Sequence, residues 1–395
     1  KIFTLSDDLK GERILLHFDA VDQIAEVILN GKSLGTHEGG YLRFTFDVTD
    51  CIKRVGENVL LVKVTDKLDL DYPYGKQCKK RGGMWYTPVS GIWKSVWLEA
   101  VPEKHIERLK MTPNLTGVDI EMFGTVSSFE VCVKMPDKTA MKETFEGNKG
   151  RIEISKEAIR LWTPDAPYLY EMTVTAGEDK VETYFALRTI EIKNLNGINR
   201  VCLNGEPIFL HGVLDQGYFP EGIYLPCNEE EYEKDILRMK ELGINLIRKH
   251  IKVEPDCFYY ACDKIGMLVM QDMVNSGEYK FIRDTVMPNV GFGKKDDTKR
   301  KFSKKMKEFL EQHMKDTIKH LYNHPSVVAY TIFNEGWGQF DGDRMYGIAK
   351  KMDSTRLYDA TSGWFVQNDS DFDSFHIYFG NSITFCILYI FFYKI

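Results

Sequence analysis

The sequence has no excess of positive charge: 52 lysines and arginines stand against 58 aspartates and glutamates, for a net charge of -6. A nucleic-acid partner, which calls for a basic face, is not expected. There is no apolar run long enough to cross a bilayer. The uncharged stretch 383–393 falls well short of the roughly 20 residues a spanning helix needs, so no membrane partner is expected either. No cysteines stand at zinc-site or redox spacing. The eight, Cys51, Cys78, Cys132, Cys202, Cys227, Cys257, Cys262 and Cys386, are scattered and read as reduced thiols, which favours a cytoplasmic setting over secretion. Lys1 follows no initiator Met and no apolar signal region, so targeting is otherwise open. Sequons at Asn114 and Asn368 are short enough to arise by chance. With no phosphate-binding glycine loop, no dinucleotide fingerprint and no carboxylate/histidine cluster at ligand spacing, neither a cofactor nor a metal is expected.

What is present is a chain of 395 residues, long enough for two or three domains, with 13% aromatic residues. Residues 1–103 read as a β-sandwich. Short apolar or alternating runs at 13–18, 26–29, 41–48, 58–64 and 93–100 are separated by turn signals such as Asn30-Gly31 and Gly39-Gly40. The Gly- and aromatic-rich excursion 72–93 interrupts this pattern, and a loop of that length is expected to pack on a neighbour or to touch a ligand. Residues 104–192 carry strands near 118–123, 129–133, 169–175 and 181–187, which suit an immunoglobulin-like sandwich. From about 193 the period changes to strands alternating with helices. Strands are expected at 207–213, 244–248, 267–271, 327–333, 357–361 and 374–378, and helices at 228–242, 255–265, 298–322 and 341–352. That is a β/α barrel pattern, with about six of the eight strands a closed barrel requires. The run 383–393 either stands in for a seventh strand or is a foreign tail.

The run Val-Val-Ala-Tyr-Thr-Ile-Phe-Asn-Glu-Gly-Trp at 327–337 is the expected seat of chemistry. A strand buried on both faces delivers Asn334 and Glu335 to its carboxyl end, where parallel sheets and barrels bind ligands. There Asn334 would bond a substrate hydroxyl, Glu335 would give or take a proton, and Trp337 would stack on an apolar sugar face. The other strand ends add His211, Asp215 and Gln216, then Arg248, Lys249 and His250, then Asp272, then Thr361, Ser362 and Trp364, and finally His376 and Tyr378. Singly these are ordinary loop polars. Together they suit a polyhydroxylated substrate, with Glu335 as general acid/base.

These residues resemble glycoside hydrolase family 2. The matching stretches are Ala20-Val21-Asp22, Gly39-Gly40-Tyr41, Gly75-Lys76-Gln77, Ser90-Gly91-Ile92-Trp93, Asp215-Gln216-Gly217-Tyr218, Arg248-Lys249-His250 and Phe333-Asn334-Glu335-Gly336-Trp337. The resemblance implies a jelly-roll sugar-binding domain, an immunoglobulin-like sandwich and a catalytic (β/α)8 TIM barrel that hydrolyses terminal β-glycosides, most like a β-galactosidase. It implies Glu335 as acid/base, Asn334 as ligand of the substrate 2-hydroxyl and Tyr378 as the tyrosine beside the nucleophile. Asp215, Arg248, His250, Asp272, Trp364 and His376 would line the pocket. Carbohydrate is the implied partner, and homo-oligomers built through the sandwich domains are implied as well. One departure stands out. No Glu follows Glu335, whereas retaining members place a second Glu at the seventh strand, so the expectation is a chain truncated within the barrel and lacking its nucleophile. A noncatalytic carbohydrate-binding protein is the alternative, and an inverting enzyme using a distant Asp is a further one.

Overall fold

A computed structural model describes residues 1–292, 296–377 and 388–393. The chain divides into two compact units, one holding residues 1–68, 88–162 and 168–187, the other holding 69–87, 163–167 and 188–395.

The first unit is all β. One four-stranded antiparallel sheet runs in the order Ile2–Phe3, Asn58–Thr65, Ile24–Leu29, Lys32–Glu38, and a three-stranded sheet runs Phe44–Asp47, Arg13–Phe18, Val96–Val101. Strict alternation, as in the Ile24–Leu29 strand, sends Ala25, Val27 and Leu29 inward to meet Ile14, Leu16 and Phe18. Farther along, Ile106–Pro113, Gly117–Gly124 and Lys149–Glu153 form one sheet. Ala140–Glu146, Ser128–Lys134, Tyr170–Ala176 and Asp179–Phe185 form another. Their inward residues, among them Val118, Ile120, Val131, Val174 and Phe185, share a second core. Two sheets over one apolar layer, repeated twice, is the sandwich architecture expected.

The second unit is α/β. Five parallel strands, Gly212–Asp215, Leu246–Lys249, Leu268–Asp272, Val327–Asn334 and Leu357–Ser362, lie side by side in sequence order. The helices Glu230–Glu241, Asp256–Ile265, Lys304–Leu321 and Gly342–Met352 lie in the connections. Sequential parallel pairing with intervening helices forms the arc of a barrel. All eight residues of Val327–Asn334 are buried, as a strand covered on both faces requires. At the amino ends of the strands two buried arginines satisfy the carbonyls. Arg188 donates to Pro325 and Val327 at 2.9 Å, and Arg356 donates to Tyr322 at 2.6 Å while pairing with Asp353. Among the described residues no helix is long and apolar enough to cross a membrane.

Several boundaries differ from expectation. The first parallel strand starts at Gly212, because Glu206–Pro207 instead closes a hairpin with Ile198–Leu203. The turn is Asn204-Gly205, whose left-handed backbones (φ 55° and 86°) favour a tight hairpin. The first helix begins at Glu230 rather than Asn228 and has no side-chain cap. The long helix begins at Lys304 rather than 298, because Ser303 Oγ accepts the Met306 N–H and sets the cap there. The sixth strand, Phe372–Ile377, is present but pairs antiparallel with Leu388–Tyr393 and does not extend the parallel sheet. The apolar, β-prone residues 388–393 supply that partner, and a free strand edge takes the nearest one.

Candidate active site

Residues 69–87 belong to the α/β unit, and hydrogen bonds show why. Asn275 O accepts the Tyr74 N–H at 3.0 Å, Leu70 O accepts the Gly277 N–H at 2.7 Å, and Ser303 Oγ donates to Asp71 at 2.7 Å. The excursion thus both packs on the barrel and forms part of a cavity wall. That cavity, about 690 Å³, lies at the carboxyl ends of the parallel strands. Lys76, Trp85, Tyr86, Gln216, Tyr218, His250, Tyr279, Asn334, Glu335, Trp364 and His376 are among its lining residues, and Glu335 is the one carboxylate among the described residues that line it.

Glu335 sits just past the strand in a left-handed backbone (φ 54°), its N–H bonded to Ser362 O at 2.8 Å. Gly336 is left-handed too (φ 68°), and a Cβ there would lie 2.1 Å from the Phe365 ring. Two successive left-handed residues turn the chain back on itself, so Trp337 does not face the cavity. Its indole is buried, bonded to Tyr74 Oη and Gly277 O at 3.0 Å each. The expected sugar stacking at Trp337 is therefore corrected: Trp337 is the support against which Trp85 and Tyr279, which do line the cavity, pack edge-on or tilted.

The polar groups around Glu335 form one network. Arg248, almost wholly buried, donates Nε to Asp272 at 2.8 Å and NH2 to Asn334 Oδ1 at 2.8 Å, and its NH1 reaches Ser362 Oγ at 3.2 Å and His376 Nε2 at 3.4 Å. A guanidinium can only donate. His376 Nε2 is therefore an acceptor, and its Nδ1 carries the hydrogen, which it donates to Glu335 Oε1 at 2.8 Å. This fixes Oε1 of the carboxyl group that lines the cavity. In the same way, Arg248 engages Asn334 Oδ1, so the amide offers its NH2 to a ligand.

Asp272 lies behind this layer. Burial alone would raise its pKa, but the Arg248 charge and the His250 hydrogen bond outweigh burial and hold it at about 2. His250 Nδ1 meets Asp272 Oδ2 at 2.6 Å and its Nε2 meets Lys76 Nζ at 3.0 Å. Burial, and then the Lys76 charge, push its pKa down to about 4.

Of the expected residues, the structure brings Asn334, Glu335, Arg248, His250, Asp272, Trp364 and His376 together. Trp364 lines the cavity and donates its indole N–H to the main-chain oxygens of Glu335 and Asp284 at 2.9 and 3.0 Å. Asp215 is not among them. Its carboxylate turns to Lys249 Nζ at 2.7 Å, while its neighbours Leu214 and Gln216 line the cavity. Tyr378 lies outside the described residues. Reading the strand ends missed Lys76, Trp85, Tyr86 and Tyr279. The length and aromatic content of the excursion were the available signal for the first three.

Three family descriptions match this chain: a glycosyl hydrolase 2 galactose-binding domain-like region over residues 1–89, glycosyl hydrolases family 2 over 104–188, and the family 2 TIM barrel domain over 191–380. A β-galactosidase of Thermoanaerobacter pseudethanolicus is 26% identical over 382 residues, covering 90% of this chain and 47% of the relative. A β-glucuronidase of Bacteroides fragilis is 23% identical, covering 90% of this chain and 53% of the relative. The chain thus spans about half the length of these curated relatives. Among solved structures, the β-D-glucuronidase of Dictyoglomus thermophilum has a TM-score of 0.74 at 19% identity, covering 91% of this chain and 64% of that one. The Ruminococcus gnavus β-glucuronidase has a TM-score of 0.73 at 20% identity, covering 91% and 62%. These structural likenesses show the fold. With successive matches over nearly its whole length, the chain belongs to glycosyl hydrolase family 2.

Proposed function

We propose that the chain acts on terminal β-glycosides within the retaining lineage, with Glu335 as the general acid/base and Asn334 as the donor to the substrate 2-hydroxyl. The observation that carries this reading is the pair of restraints on the Asn334-Glu335 dipeptide. Arg248 occupies the Asn oxygen and His376 holds Glu335 Oε1, so the amide and the carboxyl group are oriented in the same cavity that both residues line. A glycosidic oxygen lodged beside the Glu335 carboxyl would receive its proton there, and Trp364, Trp85 and Tyr218 supply apolar faces for the sugar. The names of the relatives place β-galactosides and β-glucuronides first among substrates to try. Retaining hydrolysis needs a second carboxyl about 5 to 5.5 Å from the first. Among the described residues lining the cavity there is none, and this favours sugar binding without turnover as the second reading.

The test is hydrolysis of nitrophenyl β-galactoside, β-glucuronide and β-mannoside by the chain and by Glu335→Gln. General acid/base assistance contributes roughly 10²- to 10⁴-fold, so Glu335→Gln is expected to lower kcat by that order. Turnover that Glu335→Gln leaves untouched would remove Glu335 from the chemistry. No turnover combined with retained sugar binding would leave the binding reading standing.

A further inference from the structure

Among the described residues the α/β unit buries three lysines, and they are not treated alike. Lys249 and Lys252 both reach Glu254 Oε1, at 2.6 and 2.9 Å, and Lys249 also reaches Asp215. Lys76, which is 6% exposed, contacts His250 Nε2 at 3.0 Å and lies 5.6 Å from the centre of the Trp337 ring. Among the described residues no carboxylate is in ion-pair contact with it. Burial pushes the Lys76 pKa down, and the charges of Glu335 and then Asp272, neither in contact with it, oppose that shift; burying an ammonium with no carboxylate in contact is costly. The backbone is costly as well. Lys76 is held left-handed (φ 60°), fixed by the Tyr86 N–H on its carbonyl at 3.0 Å and by the Asn275 carbonyl that anchors Tyr74 just before it. Two costs at one cavity-lining residue point to a ligand.

The charges facing the cavity give the sign of that ligand. Asp272 is matched by Arg248, and His250 is neutral with its Nδ1 hydrogen on Asp272. When Glu335 carries the proton it is to deliver, the remaining net charge among the described residues lining the cavity is the ammonium of Lys76. We propose that Lys76 is a specificity residue whose ammonium pairs with one anionic substituent, a carboxylate or a sulfate ester, on the sugar held against Glu335. This rests on the glycoside reading above and adds to it that neutral sugars are the poorer ligands. The carboxylate of a uronic acid and a sulfate ester present the same negatively charged oxygens, and experiment distinguishes them.

The intact chain is titrated calorimetrically with methyl β-glucuronide, methyl β-galactoside 6-sulfate, and their neutral parents methyl β-glucoside and methyl β-galactoside. At least one anionic glycoside is expected to bind about tenfold or more tighter than its parent. Lys76→Met should bring that ratio to within about twofold of one by weakening the anionic ligand alone, and Lys76→Arg should keep part of it. Lys76→Met removes a buried charge and is expected to melt no lower than the parent chain, so loss of the ratio will not be loss of the fold. Equal affinity for charged and neutral sugars, a Lys76→Met variant that weakens every ligand alike, or a folded chain that binds none of the four overturns the proposal. Glu335→Gln separates the two readings. It should keep the anionic preference, so a chain that never hydrolyses but shows the preference refutes the hydrolytic reading and not this one. Hydrolysis that depends on Glu335 with a flat binding ratio refutes this one alone.

Discussion

Replacing Glu254 by Gln tests whether the charges buried under the cavity hold the α/β unit together. Glu254 is fully buried. One oxygen takes Lys249 Nζ at 2.6 Å and Lys252 Nζ at 2.9 Å, and the other takes the Tyr232 hydroxyl at 2.9 Å. The amide keeps the shape and removes the charge. Lys249 retains Asp215, while Lys252 retains the carbonyls of Gly217 and Tyr224. Taking one partner from a buried ion pair costs about 3 to 5 kcal/mol, and the contacts kept place this case near the lower figure. Hydrogen exchange at pH 7 should then run roughly a hundredfold faster in peptides over 246–272. Peptides over 13–29, in the other unit, should be unchanged.

The pH dependence of this substitution has a definite sign. Burial alone would raise the pKa of Glu254, but Lys249 and Lys252 hold it below the usual glutamate value. Its contribution is present above the unfolded pKa and is lost as pH falls through the folded one, so the gap between the two chains should close in acid. Lys252 gives the opposite flank. Burial lowers it to about 8 from 10.5, with Glu254 opposing, so Glu254→Gln lowers it further. Between the folded and unfolded values the unfolded chain binds more protons, and the variant should regain stability as pH rises towards 10.5. Exchange in 246–272 that changes less than about threefold, or that changes equally in the sandwich peptides, would refute the reasoning.

Two further outcomes are expected. Nitrogen NMR should show His250 as the neutral Nδ1–H tautomer down to about pH 5, because its pKa is about 4; its depressed value makes stability rise with pH from about 4 to 6.5. A His250 that titrates near 6.5 would break the Lys76–His250–Asp272 chain. Gly336→Ala should cost more than about 2 kcal/mol in urea unfolding, since its Cβ would lie 2.1 Å from Phe365 in a left-handed backbone. A neutral result would mean that Phe365 moves freely aside.

The site was legible where a strand announced it. The run 327–334 is apolar and β-branched, so the polar pair ending it stands out, and the same logic found Arg248 and His250. It misled at Trp337, because the direction of a side chain after two left-handed residues is set by φ and not by residue type. It also misled at Asp215, where a carboxylate at a strand end turned to Lys249. The run Lys249 to Glu254 reads as a solvated charged loop, yet Lys249, Lys252 and Glu254 are buried together. The alternating Ile251 and Val253 were the trace of that burial. Lys76 lay beyond strand-end reasoning because it reaches the cavity from a segment more than a hundred residues earlier in the chain.

The indole of Trp364 shares one hydrogen between the main chains of Glu335 and Asp284. It therefore acts as a clasp. The segment bearing Tyr279 and Thr285 is kept in step with the turn that carries Glu335, by the same ring that faces the cavity. Shortening that side chain would release two walls at once and let Glu335 drift, so ligand affinity and any activity that depends on Glu335 would fall together. A loss measured at position 364 would thus report on alignment as much as on stacking. The contribution of the ring face alone would have to be read from replacements that keep the N–H.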